Sequence, residues 1–224
     1  MNSTSRGAAF FDVDRTLLPG TSTEMLLVQS LLRGHLPGRF RLIPFLIEAI
    51  RLLPKGPTVM RKANKAFLAG STPDEVRAWG ERLFTDTIAP RLEGDPGRGW
   101  VEAERSGGRA IVLLTGMPDL LLPPFVRHFA ADAGIATPLD VDARGRLTGS
   151  HTGLHPYGKA KLELARRLCD ERGWDPRVCS AYGDHASDAF LLEWVGEAFA
   201  VDPDEGLRTV ARERGWKILD RRGG

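Results

Sequence analysis

The chain is short of the residues that mark several protein classes. Its two cysteines, Cys169 and Cys179, are too few for a disulfide framework and lack the paired spacing of a zinc site, so both read as reduced structural thiols. Neither sign of charge dominates. Lys plus Arg (31) nearly balances Asp plus Glu (29), and a net charge of +2 gives no basis for a nucleic-acid partner. Long apolar runs are also missing. The greasiest stretch, Leu42 to Leu53, is interrupted by Pro44, Glu48 and Arg51 and is only about half the length a bilayer crossing requires. It reads as a packed helix, with a membrane surface or a second subunit as the lesser alternatives. Polar residues from Met1 to Gly7 run straight into an apolar strand, which predicts a cytoplasmic protein without a secretory leader. The chain carries no internal repeat or low-complexity tract, and its oligomeric state is not legible.

With 224 residues and 42% hydrophobic content, one substantial core and a small second domain are within reach. Short apolar runs ending in small or acidic residues recur at Ala8 to Asp12, Ala110 to Gly116, Val178 to Asp184, Ala198 to Asp202 and, weakly, Trp216 to Asp220. These predict buried strands. Helical spacing appears between the later runs, over Lys159 to Arg172 and Ser187 to Val195. The alternation predicts an α/β fold, a Rossmann-like parallel sheet with helices on both faces and a ligand site beyond the carboxyl ends of its strands.

From about Pro19 to Ile88 the alternation stops. This stretch is rich in Leu, Arg and Ala at helical spacing, which predicts a helical insertion. Within it, Ser71-Thr72-Pro73-Asp74-Glu75 marks a helix start, and Gly94-Asp95-Pro96-Gly97 and Gly107-Gly108 punctuate the return to the sheet.

Four polar signals fall at these boundaries. The first strand ends in Phe10-Phe11-Asp12-Val13-Asp14-Arg15-Thr16, with two carboxylates two apart. In a regular strand they would share one face and repel, unless a hard cation intervened. The second run ends in Thr115-Gly116, a hydroxyl and a glycine N–H suited to anionic oxygens, although a plain turn would look similar. Next comes Gly158-Lys159-Ala160-Lys161 at a helix start, then Gly183-Asp184-His185-Ala186-Ser187-Asp188 at a strand end. Each has an ordinary reading alone, as a turn, a surface charge or a helix cap. Their shared placement at boundaries makes the set specific.

With these residues the chain resembles the haloacid dehalogenase superfamily of phosphatases, in the subgroup IB similar to phosphoserine phosphatase. The resemblance rests on Asp12, Asp14, Thr16, Thr115, Lys161, Gly183, Asp184 and Asp188, and on Ala200-Val201-Asp202-Pro203-Asp204 near the end. It implies a core of residues 1–18 and 89–224 with a helical cap of the C1 type at 19–88. It further implies that Asp12 is the nucleophile that becomes an aspartyl phosphate and that Asp14 is the acid and later the base. Thr115, Gly116 and Lys161 would hold the phosphate. Magnesium would take Asp12, Asp14 through its backbone carbonyl, and Asp184, with Asp188 orienting Lys161 or a metal-bound water.

Lys159 stays open as an alternative to Lys161. Arg15 and His185 stand where the family often has small residues, Arg15 as a substrate contact or a solvated chain and His185 as an exposed loop histidine. In relatives a cap glutamate binds the amine of phosphoserine, but the matching position here is Thr21, with Glu24 out of register. The implied substrate is therefore a small phosphorylated metabolite, an alcohol or amino-alcohol phosphate with histidinol phosphate and phosphocholine among the possibilities, and phosphoserine ranks below it as the alternative. A non-catalytic phosphate binder on the same scaffold is the competing class, and a response-regulator phosphoacceptor would lack the helical insertion.

Overall fold

The computed structural model describes residues 7–34 and 65–221, so the apolar stretch Leu42 to Leu53 lies outside the described residues. Among the described residues eight strands are formed: β1 (Ala8–Phe11), β2 (Ala110–Pro118), β3 (Ala133–Thr137), β4 (Leu139–Val141), β5 (Leu147–His151), β6 (Ser180–Gly183), β7 (Glu197–Val201) and β8 (Lys217–Leu219). Six make one parallel sheet in the order β3-β2-β1-β6-β7-β8, while β4 and β5 pair antiparallel beside it. The described helices are α1 (Thr23–Leu32), α2 (Pro73–Leu83), α3 (Ala89–Leu92), α4 (Gly97–Ser106), α5 (Pro123–His128), α6 (Lys159–Arg172), α7 (Ala189–Leu192) and α8 (Glu205–Arg214).

Side chains alternate between the two faces of a strand, and here both faces are covered. Ala9 and Phe11 of β1 join Ile111, Leu113, Phe199 and Val201 in one core, against α1, α2, α4 and α5. Ala8 and Phe10 join Val112, Leu114, Ala198 and Ala200 in the other, against α6, α7 and α8. That is why these strands read as unbroken apolar runs. Phe10 and Phe11 are each fully buried, a contribution of roughly 2 to 3 kcal/mol apiece.

Register is held by aromatic rungs. Phe11 stands opposite Tyr182, which stands opposite Phe199, and both ring pairs stack at 4.3 Å. A slip of one residue would send each ring to the wrong face, so the stack also fixes where the loops after Phe11 and Tyr182 leave the sheet. From β1 the chain builds β2 and β3 on one side, then returns to β6 on the other. The carboxyl ends of β1 and β6 therefore flank a topological switch point, where α/β sheets place ligands.

Most predicted elements lie within a residue or two of their expected bounds. Helix α2 begins where Thr72 and Glu75 form a reciprocal capping box with Pro73 at the first turn. The run continues through a π-helical turn, Phe84–Ile88, into α3. Expected helix Ser187 to Val195 is instead two short pieces, a 3-10 turn at Ala186–Asp188 and then α7. Strands β3, β4 and β5 had no counterpart among the expectations. Their side chains are largely half-buried or exposed, and Gly134 and Gly149 dilute the pattern. Among the described residues no helix is long and apolar enough to cross a membrane.

Candidate active site

The loop after β1 carries the first two acids. The Asp12 amide still donates to the Tyr182 carbonyl at 3.0 Å, extending the sheet by one bond. The chain then reverses tightly, with the amides of Leu17 and Leu18 both donating to the Val13 carbonyl and Arg15 at a positive φ of 65°. That turn separates the two carboxylates. Asp14 Oδ1 accepts from both the amide and the hydroxyl of Thr23 at 2.8 Å, at the start of α1. Asp12 faces Lys161 instead, at 3.1 Å.

Lys161, in the first turn of α6, is buried and also bonds Asp188 Oδ1 at 2.7 Å. Asp12, Asp184 and Asp188 each offer a carboxylate oxygen within 4.8 Å of the others. Gly183 makes this approach feasible, because a Cβ there would lie 2.7 Å from the Asp188 side chain. Three acids around one ammonium leave an excess of negative charge, and two like charges about 4 Å apart repel by about 4 kcal/mol at an effective dielectric of 20. The carboxyls respond accordingly. Burial, opposed by Lys161 and assisted by Asp188 and Asp14, pushes Asp12 up to about 7. Burial together with Asp12 and Asp188 pushes Asp184 up to about 8. For Lys161 burial disfavours the charge, but Asp12 and Asp188 outweigh it and hold the ammonium well above its ordinary range. An all-oxygen cluster with surplus negative charge is the donor set a hard divalent cation takes.

A cavity of about 650 Å³ opens above these groups. Asp12, Asp14, Arg15, Thr115, Gly116, Lys161, Asp184 and Asp188 all line it, so every site residue expected from sequence meets in one place. Thr115 is fully buried and its hydroxyl accepts from the Met117 amide at 3.3 Å, which leaves its proton to donate elsewhere. Lys159 does not face the cavity. It is exposed, with its ammonium 5.6 Å from the Phe190 ring. Arg15 is half-exposed at the rim, 3.8 Å from Asp184. His185 corrects an expectation, since it is part-buried rather than an exposed loop residue. Its Nδ1 accepts from the Ser187 amide to cap the 3-10 turn, and its Nε2 lies 3.4 Å from Asp204.

Several lining residues were not singled out in sequence. Lys65, buried, pairs with Glu24 and donates to the Gly116 carbonyl at 3.2 Å. The buried Thr137 hydroxyl, itself not part of the lining, donates to the same carbonyl at 2.8 Å and lies 2.7 Å from His155 Nδ1. Phe67, Met25 and Val28 form an apolar wall, and His155, Pro156 and Tyr157 form another. Burial, opposed by Lys65, raises Glu24 from its ordinary range. Lys65 follows Lys55, Arg61 and Lys62 in a basic stretch, and no spacing distinguishes it. Glu24 is out of register in sequence, yet α1 carries it into the cavity.

Comparison with known proteins returns relatives over nearly the whole chain. A family model described as haloacid dehalogenase-like hydrolase matches residues 9–193. The chain belongs to the haloacid dehalogenase-like hydrolase family. It is an enzyme, a phosphatase. It is 31% identical to the inhibition of morphological differentiation protein of Streptomyces azureus, over 98% of this chain and 80% of that protein. It is 30% identical to phosphoserine phosphatase SerB1 of Mycobacterium tuberculosis, over 95% of this chain and 70% of that one. The crystal structure of a protein of unknown function from Bordetella pertussis Tohama I superposes with a TM-score of 0.80 at 26% identity, covering 97% of this chain and 99% of the other.

Proposed function

We propose that this phosphatase hydrolyses a small phosphorylated metabolite through an aspartyl phosphate on Asp12, with Mg2+ held by Asp12, Asp184 and the backbone carbonyl of Asp14. The observation that carries the reading is the convergence of Asp12, Asp184 and Asp188 around Lys161 at the cavity floor. Such a cluster fits a divalent cation that lowers the repulsion between an anionic nucleophile and an anionic phosphoryl group. Asp12 attacks phosphorus in line with the leaving oxygen, and its carboxylate becomes the acyl phosphate. Asp14 protonates that oxygen. Burial, partly offset by the Thr23 bonds on Oδ1, raises the Asp14 carboxyl from its ordinary range, which suits a proton donor that later takes a proton from water. Thr115 and the Gly116 N–H bind phosphoryl oxygens, and Lys161, oriented by Asp188, offsets their charge.

Residues 19–88 act as a cap over residues 1–18 and 89–224. Supporting this, Ser22, Glu24, Met25, Val28, Lys65 and Phe67 face the strand-end groups across the cavity. A volume of about 650 Å³ suits a metabolite and not a macromolecule. Among small substrates, an amino-acid phosphate such as phosphoserine gains support from the Glu24 and Lys65 pair, which offers one carboxylate and one ammonium, and from the name of the SerB1 relative.

The test is phosphate release from a panel of monoesters, with phosphoserine, histidinol phosphate, phosphocholine and a chromogenic ester, in Mg2+ and in its absence. Release that needs Mg2+ and disappears in Asp12→Asn is expected. Release unaffected by exhaustive chelation would overturn the metal assignment.

A further inference from the structure

Arg221 stands just beyond β8 at the edge of the sheet, far along the chain from the acids of β1. Its side chain is only 10% exposed. Nε donates to Asp95 Oδ2 at 2.8 Å, Nη1 to Asp202 Oδ2 at 2.6 Å, and Nη2 to the carbonyl oxygen of Thr16 and, at 3.4 Å, to Asp95 Oδ1. Its own amide donates to Asp202 Oδ1 at 2.9 Å, and the guanidinium lies 5.0 Å from the centre of the Trp100 ring.

Two carboxylates already balance one guanidinium, so charge alone does not account for the bond to Thr16. A rigid, planar fork can hold several acceptors at fixed angles where a lysine would hold one. Asp95 anchors this fork to the first turn of α4 by accepting from the Gly97 amide at 2.8 Å. Asp202 anchors it to the end of β7, where the backbone turns through a φ of 37°. Thr16 belongs to the reversal that sends Asp12 toward Lys161 and Asp14 toward Thr23. The Thr16 hydroxyl has no hydrogen-bond partner among the described residues, whereas its carbonyl accepts from Arg221.

We propose that Arg221 is a positioning residue for the phosphoryl-transfer site: by holding the Thr16 carbonyl against α4 and β7, it sets the turn that aims Asp12 and Asp14. It touches no substrate and acts only through that turn. The proposal rests on the phosphatase mechanism above, and its test separates the two.

Arg221→Ala, Arg221→Lys and a control, Arg208→Ala, are compared on phosphoserine and a chromogenic ester. Arg208 pairs with Asp220 beside the same strand without reaching Thr16. Because a small misplacement of reacting groups slows turnover by about 10- to 100-fold, kcat of Arg221→Ala should fall by that factor on both esters. KM should stay within about twofold, since the phosphate and leaving-group contacts are untouched. Millimolar guanidinium ion should restore part of kcat in Arg221→Ala, and Arg208→Ala should match the parent. A folded Arg221→Ala with kcat within about twofold of the parent, or a fall equalled by Arg208→Ala, overturns the proposal. If Arg221→Ala does not fold, Arg221→Lys carries the same comparison. Should the parent hydrolyse no ester, the phosphatase mechanism fails on its own. Amide exchange then decides the positioning role: faster exchange at residues 15–18 with β1 still protected supports it, and unchanged exchange there overturns it.

Discussion

Two buried lysines face the same cavity in opposite electrostatic situations. Lys161 is set among Asp12 and Asp188, with Asp184 close by, so its single charge is outnumbered. Lys65 meets one carboxylate, Glu24, and the neutral carbonyl of Gly116, so its charge is matched. The imbalance at the floor suits a further cation, whereas the balanced pair of Lys65 and Glu24 needs none to stay stable. On the proposed mechanism, the chemistry falls at the first and recognition of the leaving group at the second.

The largest effect expected from this contrast is at the floor. Asp12→Asn should lower turnover by about 10⁴-fold or more while the fold persists, as loss of a covalent nucleophile does, and phosphate release beside a far-UV spectrum checks both halves. Retained turnover would return the floor to the status of a structural ion cluster. Gly183→Ala should come next, with a loss of about 100-fold in kcat, because a Cβ at 2.7 Å from Asp188 must push that carboxylate away from Lys161.

The surplus charge also has a pH signature in metal-free protein. Burial, with repulsion from neighbouring carboxylates, pushes the Asp12 carboxyl up to about 7 and the Asp184 carboxyl up to about 8 from an ordinary value of 3.8, so the folded state binds their protons more tightly than the unfolded state. Their contribution to stability is therefore fully present below about pH 4 and is lost as pH rises through about 7 to 8. Metal-free protein should melt progressively lower between about pH 5 and 8.5, and Mg2+ should raise Tm more at the alkaline end. A Mg2+ response that is larger at acid pH would contradict the cluster.

At the Lys65 and Glu24 pair the effects are smaller and concern stability and KM. Lys65→Met strands the Glu24 carboxylate, and breaking a buried pair costs about 3 kcal/mol. The double variant with Glu24→Gln should recover part of that loss in urea unfolding. Its KM for phosphoserine should rise more than its KM for a chromogenic phosphate ester whose leaving group carries no amine or carboxylate. Equal changes would remove the pair from substrate recognition.

The same contrast explains what could be read from the chain. The floor was legible because Asp12, Thr115, Lys161 and Asp184 each sit where an apolar run ends or a helix begins, and a doubly covered sheet leaves few polar residues in such places. The five predicted strands, at Ala8, Ala110, Val178, Ala198 and Trp216, were visible for the same reason. Strand β3 was not, since Ala133-Gly134-Ile135-Ala136-Thr137 lies on the sheet edge with little apolar contrast. Lys65 and Glu24 were illegible as partners because 41 positions separate them and only tertiary packing brings them together. His185 looked like a loop residue, and its capping of the Ala186–Asp188 turn depends on a backbone geometry that composition does not reveal.

On the proposed mechanism the Asp12 carboxylate takes the phosphoryl group. Acid quenching of the enzyme during turnover of a radiolabelled ester in Mg2+, with peptide mapping of the quenched protein, tests it directly. Label is expected on the peptide that contains Asp12, and none in Asp12→Asn. Steady release of phosphate with no label at Asp12 in the quenched protein would contradict it.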